Sequence, residues 1–487
     1  MNYRMVWFLL RWIMRLEAVF MVPAMLISLQ QGETASARAL AGTIVLLMVC
    51  SFLYNRKPSR REFFAREGFV SVGLTWIVVS LFGALPFTLS GAIPSYVDAF
   101  FETVSGFTTT GASILTNVEG LSMGLLYWRS FTHFLGGMGV LVFVLAIIPL
   151  ADSSGGNSLY LLRAESTGPQ VSKLVPKMRD TAVLLYGIYV LLTVLQVVLL
   201  LLGGMPLFDA VTTAFGTAGT GGFGIKNDSM ASYSTYIQVV TGIFMMLFGV
   251  NFNIYFLVIL RSWRKALKSE ELRTYLGIMG TSILLITGNL MVRQGHHFFQ
   301  ALHLAGFQVS SVMTTTGFAT ADFNLWPQLS KSILLTLMIL GACAGSTGGG
   351  IKTARLLILI KSARNSARKL MRPRQVTGIR LDGQPVDGET VAGVYGYMVV
   401  YVLISIGSML LISFDNMDME TTISSVVATL NNIGPGFGAV GASGNYSGYS
   451  DFSKLVLSMD MLVGRLEIFP VLLMFFPSVW HRGRERK

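Results

Sequence analysis

Charge is scarce in this chain. Of its 487 residues only 13% are Asp, Glu, Lys or Arg, about half the share of a soluble globular protein. Acidic residues are the scarcer kind, 25 against 37 basic. Cysteine is nearly absent. Cys50 and Cys343 sit in or beside apolar stretches without CxxC spacing, which argues against a disulfide framework and a cysteine zinc site. The five histidines, three of them His296, His297 and His303, form no metal-binding pattern either. A cleavable signal peptide is not indicated, because the first apolar stretch is too long and a second follows without a small-residue cleavage site.

Apolar residues are abundant: 52% of the chain, with a mean hydropathy of +0.60. A bilayer crossing takes about 20 such residues. Candidate spans lie near 5–30, 38–55, 69–90, 123–150, 181–204, 235–261, 272–293, 329–360, 390–414 and 452–479. The class is therefore an all-α polytopic membrane protein. Ten spans put both termini on one side, and the basic residues agree. Thirty of the 37 fall in six clusters: Arg4 to Arg15, Arg56 to Arg66, Arg163 to Arg179, Arg261 to Arg273, Lys352 to Arg380, and Arg482 to Lys487. These alternate with stretches almost free of positive charge, the pattern of the positive-inside rule with both termini cytoplasmic. The net charge of +12 thus reads as topology. No aromatic-interleaved basic domain supports nucleic-acid binding.

Between spans 3 and 4, 5 and 6, 7 and 8, and 9 and 10 lie segments too short or too polar to cross, all on the side without positive clusters. Each carries a glycine stretch: Thr108-Thr109-Thr110-Gly111, Gly219-Thr220-Gly221-Gly222, Thr314-Thr315-Thr316-Gly317 and Gly434-Pro435-Gly436. Twelve residues separate Ala99 from Gly111, Ala210 from Gly222, Ala305 from Gly317 and Ser424 from Gly436. Phe223, Phe318 and Phe437 follow the last three glycines, and Ala112 takes that place in the first. A further glycine (Gly137, Gly249, Gly345 or Gly464) recurs 26 to 28 positions on. The pattern predicts four helix–pore loop–helix repeats in pseudo-fourfold array behind an N-terminal helix pair. The divisions are 1–60 for the pair, then 61–152, 153–265, 266–380 and 381–487.

Non-helical backbone at membrane depth survives only where protein or a water-filled cavity satisfies it, so four such loops imply a pore. Rings of carbonyls can replace the hydration shell of a potassium ion. Glycine reaches the backbone angles that aim them inward, threonine adds a hydroxyl, and a short helix ending at the loop points its partial negative charge at the cation. Only two loops carry the triple threonine, which predicts a regular ring near the glycines and modest discrimination against rubidium or sodium.

The segments SGFTTTGAS, GTGGFG, TTTGFAT and GPGFG make the chain similar, over essentially its whole length, to TrkH/TrkG-type transmembrane subunits of bacterial potassium uptake systems, in the Trk/Ktr/HKT superfamily. The resemblance implies a K+ filter carried by Gly111, Gly222, Gly317 and Gly436, with Thr109, Thr110, Thr220, Gly221, Thr315, Thr316, Ile433 and Gly434 completing the ion-binding set through backbone carbonyls. Family members with serine at the first glycine favour sodium, so Gly111 implies potassium. It further implies a homodimer in the bacterial inner membrane. It also implies a TrkA-like cytosolic ring whose nucleotide-binding domains supply the control, with no nucleotide on this chain. Lys361 to Arg380 would form its docking face, although a positive-inside loop explains the same charges.

Gly341 to Thr353 comes close to a phosphate-binding loop, but Ile351 intrudes before Lys352 and no β-strand precedes it. Glycines for close helix packing are one alternative. The favoured reading is a broken helix, since each glycine costs about 1 kcal/mol against alanine. Gly345, Ser346, Thr347, Gly348, Gly349 and Gly350 would then lie across the pore as a gate, as the similar loop does in the family. Arg465 falls mid-span near Asp460 and Glu467, where charge is costly. It is either half of a buried ion pair or a positive barrier beneath the filter, the role the resemblance assigns. Asn251 and Asn253 either line the cavity or bond between helices. The functional expectation is a conducting K+ uptake subunit and not an enzyme. A proton- or sodium-coupled symporter of the same fold is the alternative, with Asp460, Glu467 and Glu102 as its candidate ion-coupling groups.

Overall fold

The architecture follows from where the apolar stretches are interrupted. A computed structural model describes residues 1, 3–52, 65–137, 139, 178–372 and 378–480. Among these the fold is helical apart from one hairpin, in which Arg380 pairs with Pro385 and Leu381 with Gln384. Six continuous helices can cross a bilayer by length and composition: Tyr3–Gln30, Thr34–Phe52, Glu67–Leu89, Ala182–Leu202, Glu270–Gln294 and Gly388–Asp415. They match six of the ten expected spans.

Of the remaining four spans three are broken, where the sequence predicts a break only in the third, and one is described only in its first half. Met123–Gly137 is followed by residues 140–150 outside the described set. Thr235–Phe248 and Phe252–Ile259 meet at 91°. Gln328–Leu340 and Thr353–Met371 are separated by the unwound stretch 341–352. Asp451–Arg465 and Phe469–Met474 flank a turn in which Glu467 and Ile468 have positive φ. The physical causes differ. Asn251 caps the second half-helix, its Oδ1 accepting from the Asn253 N–H at 2.9 Å. Gly341, at φ 70°, ends the third span's first half.

Between the continuous helix and the next span of each unit lies a short one: Tyr96–Phe107, Leu207–Ala218, Phe298–Met313 and Met419–Leu430. At 12 to 16 residues they are about 18–24 Å long and cannot cross the membrane. Ser95 and Asp418 cap the first and fourth, accepting from the Asp98 and Thr421 N–H groups. A continuous helix, a short one and then a third helix: this order occurs four times, the third helix being visibly broken in three of the units, and makes a pseudo-fourfold body. The N-terminal pair docks on the first unit, where Glu33 accepts from the Met123 N–H at 2.6 Å and the Gly124 N–H at 3.3 Å. A carboxylate there also favours the positive end of the helix dipole.

Side chains such as Leu191, Val194, Leu202, Leu403 and Leu410 remain exposed on the outer helices, as a lipid-facing surface requires. Inside, one apolar cluster joins the N-terminal pair to the first and fourth units, a second centres on the third unit, and a third on the second. Of the unit divisions expected from the repeat, 60/61 and 152/153 lie outside the described residues, as do the basic clusters around Arg56–Arg61, Arg163–Lys177 and Arg482–Lys487. The 265/266 division falls in the short helix Trp263–Lys268. The 380/381 division cuts the first hairpin strand, which Lys361 holds to Glu270 through the Arg380 carbonyl and an ion pair.

Candidate ion pathway

Each short helix ends in the same way. The N–H groups of Thr109, Thr220, Thr315 and Asn432 bond three residues back, to Gly106, Thr217, Val312 and Thr429, at 3.0–3.2 Å. The next N–H groups, on Thr110, Gly221, Thr316 and Ile433, reach five residues back, to Ser105, Gly216, Ser311 and Ala428, at 2.8–2.9 Å. This pair of bonds is the Schellman termination, whose first non-helical residue takes left-handed angles and is usually Gly, sometimes Asn. Asn432 suits that place. The other three are threonines, at φ 55°, 53° and 59°, a conformation that costs a β-branched residue about 1–3 kcal/mol and concentrates at functional sites.

Two residues on, φ is positive again at Gly111 (81°), Gly222 (72°), Gly317 (85°) and Gly434 (95°), and it is not positive at the residue between. The fourth unit is therefore in register at Gly434, not Gly436. Its counterpart of Ala99 is Thr422, with the four units aligned by their helix ends at Phe107, Ala218, Met313 and Leu430. Gly436 lies beyond the ring, its N–H bonded to the Val440 carbonyl at 2.7 Å. Phe437 likewise has no equivalence to Phe223 and Phe318; Pro435 stands there.

These glycines bring the four loops into contact in chain order. A Cβ on Gly111 would lie 2.0 Å from the Gly221 carbonyl oxygen. On Gly222 it would lie 2.0 Å from that of Thr316, on Gly317 2.1 Å from that of Ile433, and on Gly434 2.7 Å from that of Thr110. The last contact closes a ring. Only glycine permits this approach at positive φ. The Thr110 and Thr316 hydroxyls turn back to Thr108 and Thr314 at 2.8 and 2.7 Å, so these two residues present their carbonyls and not their side chains. On one side of the ring opens a cavity of about 200 Å³ lined by all four glycines.

A polar brace backs the ring on the cavity side. Buried Arg129 pairs with Glu102 at 2.6 Å, donates to the Gly224 carbonyl at 2.9 Å and lies 3.5 Å from the centre of the Phe223 ring. Glu102 also accepts from the Ser113 hydroxyl and the Ile114 N–H, at 2.9 and 3.0 Å. Strands leaving the first two ring glycines are thus tied together. His133 stacks on Phe223 with centroids 4.1 Å apart, and a Cβ on Gly221 would strike its imidazole. The sequence reading missed Arg129 and His133. A charge inside a span is the signal that could have found the arginine.

On the ring's other side lies the unwound stretch 341–352. The Ala344 N–H donates to Glu271 at 2.6 Å, the Gly345 carbonyl accepts from the Phe252 N–H at 3.1 Å, and Ser346 Oγ bonds the Cys343 carbonyl at 2.6 Å. Thr347 Oγ1 reaches the Phe248 carbonyl at 3.3 Å, and Gly349 N–H reaches Thr315 Oγ1 at 2.7 Å. Lys352 folds back onto the Gly348 carbonyl, and Gly350 turns at φ 72° beside Gly341. Arg465 donates to the carbonyls of Thr347 (2.7 Å), Gly136 (2.5 Å) and Gly137 (2.8 Å). It joins the loop to the end of helix Met123–Gly137 in the first unit and to its own broken helix in the fourth. Of the two carboxylates expected beside it, Glu467 pairs with Arg355 and Asp460 accepts from Ser408 at 2.7 Å. Asn251 bonds between helices, its Nδ2 3.4 Å from Glu271.

Comparison with known proteins agrees with this architecture. The family model described as TrkH, cation transport protein, matches residues 35–482. The Trk system potassium uptake protein TrkH of Salmonella typhimurium is 38% identical, over 87% of this chain and 88% of that protein. TrkH of Halomonas elongata is 34% identical over 99% of this chain and 100% of that protein. The crystal structure of the potassium transporter TrkH from Vibrio parahaemolyticus superposes with a TM-score of 0.87 at 32% identity, covering 99% of this chain and 100% of that one. The chain belongs to the TrkH family of cation transport proteins, and it is a multi-pass membrane transporter, not an enzyme.

Proposed function

We propose that this TrkH-family chain is the ion-conducting subunit of a potassium uptake system. The observation that carries the reading is the ring closed by Gly111, Gly222, Gly317 and Gly434, identical in backbone sign at all four corners. Carbonyls held there replace the waters that K+ sheds, and four helix C-termini aim partial negative charge at the same axis. A K+ ion enters from the cavity, passes the ring, and meets the 341–352 loop and the Arg465 guanidinium, which hold it back until the loop moves. Gly434, and not Gly436, is the fourth filter glycine in this reading.

The finer assignments follow the family. The chain works as a homodimer in a bacterial inner membrane with both termini cytoplasmic. A TrkA-like nucleotide-binding ring docks on the exposed basic end of Thr353–Met371, where Arg364, Arg368 and Lys369 project. The test is flux in reconstituted vesicles. Rubidium or potassium uptake should follow its own gradient with no imposed proton or sodium gradient. Strict dependence on either second ion refutes conduction in favour of symport.

A further inference from the structure

The four left-handed residues beneath the ring glycines are equivalent in backbone but not in the use of their side chains. Thr220 Oγ1 donates to the Gly219 carbonyl at 2.6 Å. Asn432 Nδ2 donates to Thr110 Oγ1 and to the Met461 carbonyl, both at 2.9 Å. Among the described residues, Thr315 is the one of the four that the unwound loop hydrogen-bonds: its Oγ1 accepts the Gly349 N–H at 2.7 Å. The seat is tight. A Cβ on Gly348 would lie 2.9 Å from the Thr314 carbonyl oxygen, and one on Gly349 would lie 2.4 Å from that of Asn431 and 3.1 Å from Asn432 Cβ. The loop therefore rests on the third and fourth corners of the ring through a surface that admits no side chain. Because Gly349 lies outside any helix, its buried N–H depends on that hydroxyl for a partner.

We infer that Thr315 has two tasks, a cation ligand at the lowest position of the filter and the latch for the gating loop, so that permeant ion and gate compete for one oxygen. The inference rests on the conduction reading above. A hydroxyl has two lone pairs and one hydrogen. An N–H aimed at one lone pair lowers the negative potential that a cation needs, and a cation drawing on the oxygen weakens the N–H bond. Such coupling is reciprocal. Potassium in the lowest site loosens the loop, and the seated loop lowers affinity for potassium there.

The experiment uses full-length protein in proteoliposomes and compares the parent with T315V, which keeps the branched shape without the hydroxyl, and T315S, which keeps the hydroxyl. Hydrogen exchange of the peptide covering 341–352 is measured in potassium and in choline, beside rubidium flux and the potassium-to-sodium ratio. Potassium should speed loop exchange in the parent and in T315S. In T315V exchange should be fast in both media, and unstimulated rubidium flux should rise on the order of tenfold, which corresponds to a lost interaction of about 1.4 kcal/mol. A G349A variant, which unseats the loop but leaves the hydroxyl, should raise flux without changing the ion ratio. If T315V changes the ion ratio while loop exchange keeps its potassium dependence, the latch is overturned and conduction stands. If G349A shifts the ion ratio as T315V does, the separation of the two tasks is overturned. Failure of the parent to pass potassium down its gradient overturns both readings together.

Discussion

Replacing Gly434 by alanine should abolish potassium selectivity, while the same change at Gly436 should leave it intact. At φ 95° left-handed backbone costs a side chain about 1–2 kcal/mol. The new Cβ would also sit 2.7 Å from the Thr110 carbonyl oxygen and the Gly111 carbonyl carbon, and 2.9 Å from the Gly111 oxygen. All three are backbone atoms of the first unit's loop, so relief must come from spreading the ring. A spread ring no longer matches the ion in place of its water. Gly436 has no positive φ, and its Cβ would meet Ser424 Oγ at 2.8 Å and Val440 Cγ2 at 3.0 Å. Those are side-chain atoms, whose displacement costs about 1–3 kcal/mol of overpacking away from the ring. The assay is rubidium uptake by proteoliposomes against a sodium series. G434A should shift the potassium-to-sodium ratio by at least tenfold, the equivalent of about 1.4 kcal/mol. A selective G434A beside an unselective G436A would refute the register and the argument built on it.

Three other outcomes are expected. Arg465→Ala removes the donor to two carbonyls of the first unit and one of the loop, so basal flux should rise in a variant that still purifies as the parent does; unchanged flux in folded protein would deny the barrier role. Glu102→Gln leaves the buried Arg129 without its carboxylate, a change of about 3–5 kcal/mol for a broken buried pair, and its melting temperature in detergent should drop sharply, whereas no drop would show the brace to be dispensable. Asp418 accepts from the Thr421 hydroxyl and N–H, and the hydroxyl above all holds its carboxyl below the usual range. Its contribution is therefore present above the unfolded carboxyl value, near pH 4, and is lost as pH falls through the lower folded value. Asp418→Ala should cost about 1 kcal/mol as a lost N-cap, and thermal scans at neutral pH should show a loss that disappears in strong acid.

The sequence carried the repeat well where the chemistry was written in residue type. Thr109, Thr315 and the glycines at 111, 222 and 317 stand where twelve-residue offsets place them. The fourth unit resisted, because its loop reads Asn431-Asn432-Ile433-Gly434 without threonine, and Gly436 offered a more familiar match. What equates Asn432 with Thr315 is a pair of N–H bonds and a sign of φ, which asparagine and threonine can both adopt. Helix breaks were legible in the third unit, where five glycines crowd between Gly341 and Gly350. They were missed in the second and fourth, although Gly249 ends one half-helix and Pro470 opens another, because a breaker does not say how the turn beside it will face. There the surroundings decide: Arg355 draws Glu467 into a pair across to the third unit.

By itself, then, the sequence determined the solvent this protein lives in, the number of its units and three corners of its glycine ring, because hydropathy, spacing and glycine content are local properties. Tertiary structure decided what depends on atoms distant along the chain. It closed the ring from Gly434 back to Thr110, seated Gly349 on Thr315, and turned Arg465 to the carbonyls of Gly136, Gly137 and Thr347 in place of the neighbouring carboxylates. Backbone carbonyls carry no residue identity, so no reading of letters could have named them as that arginine's partners.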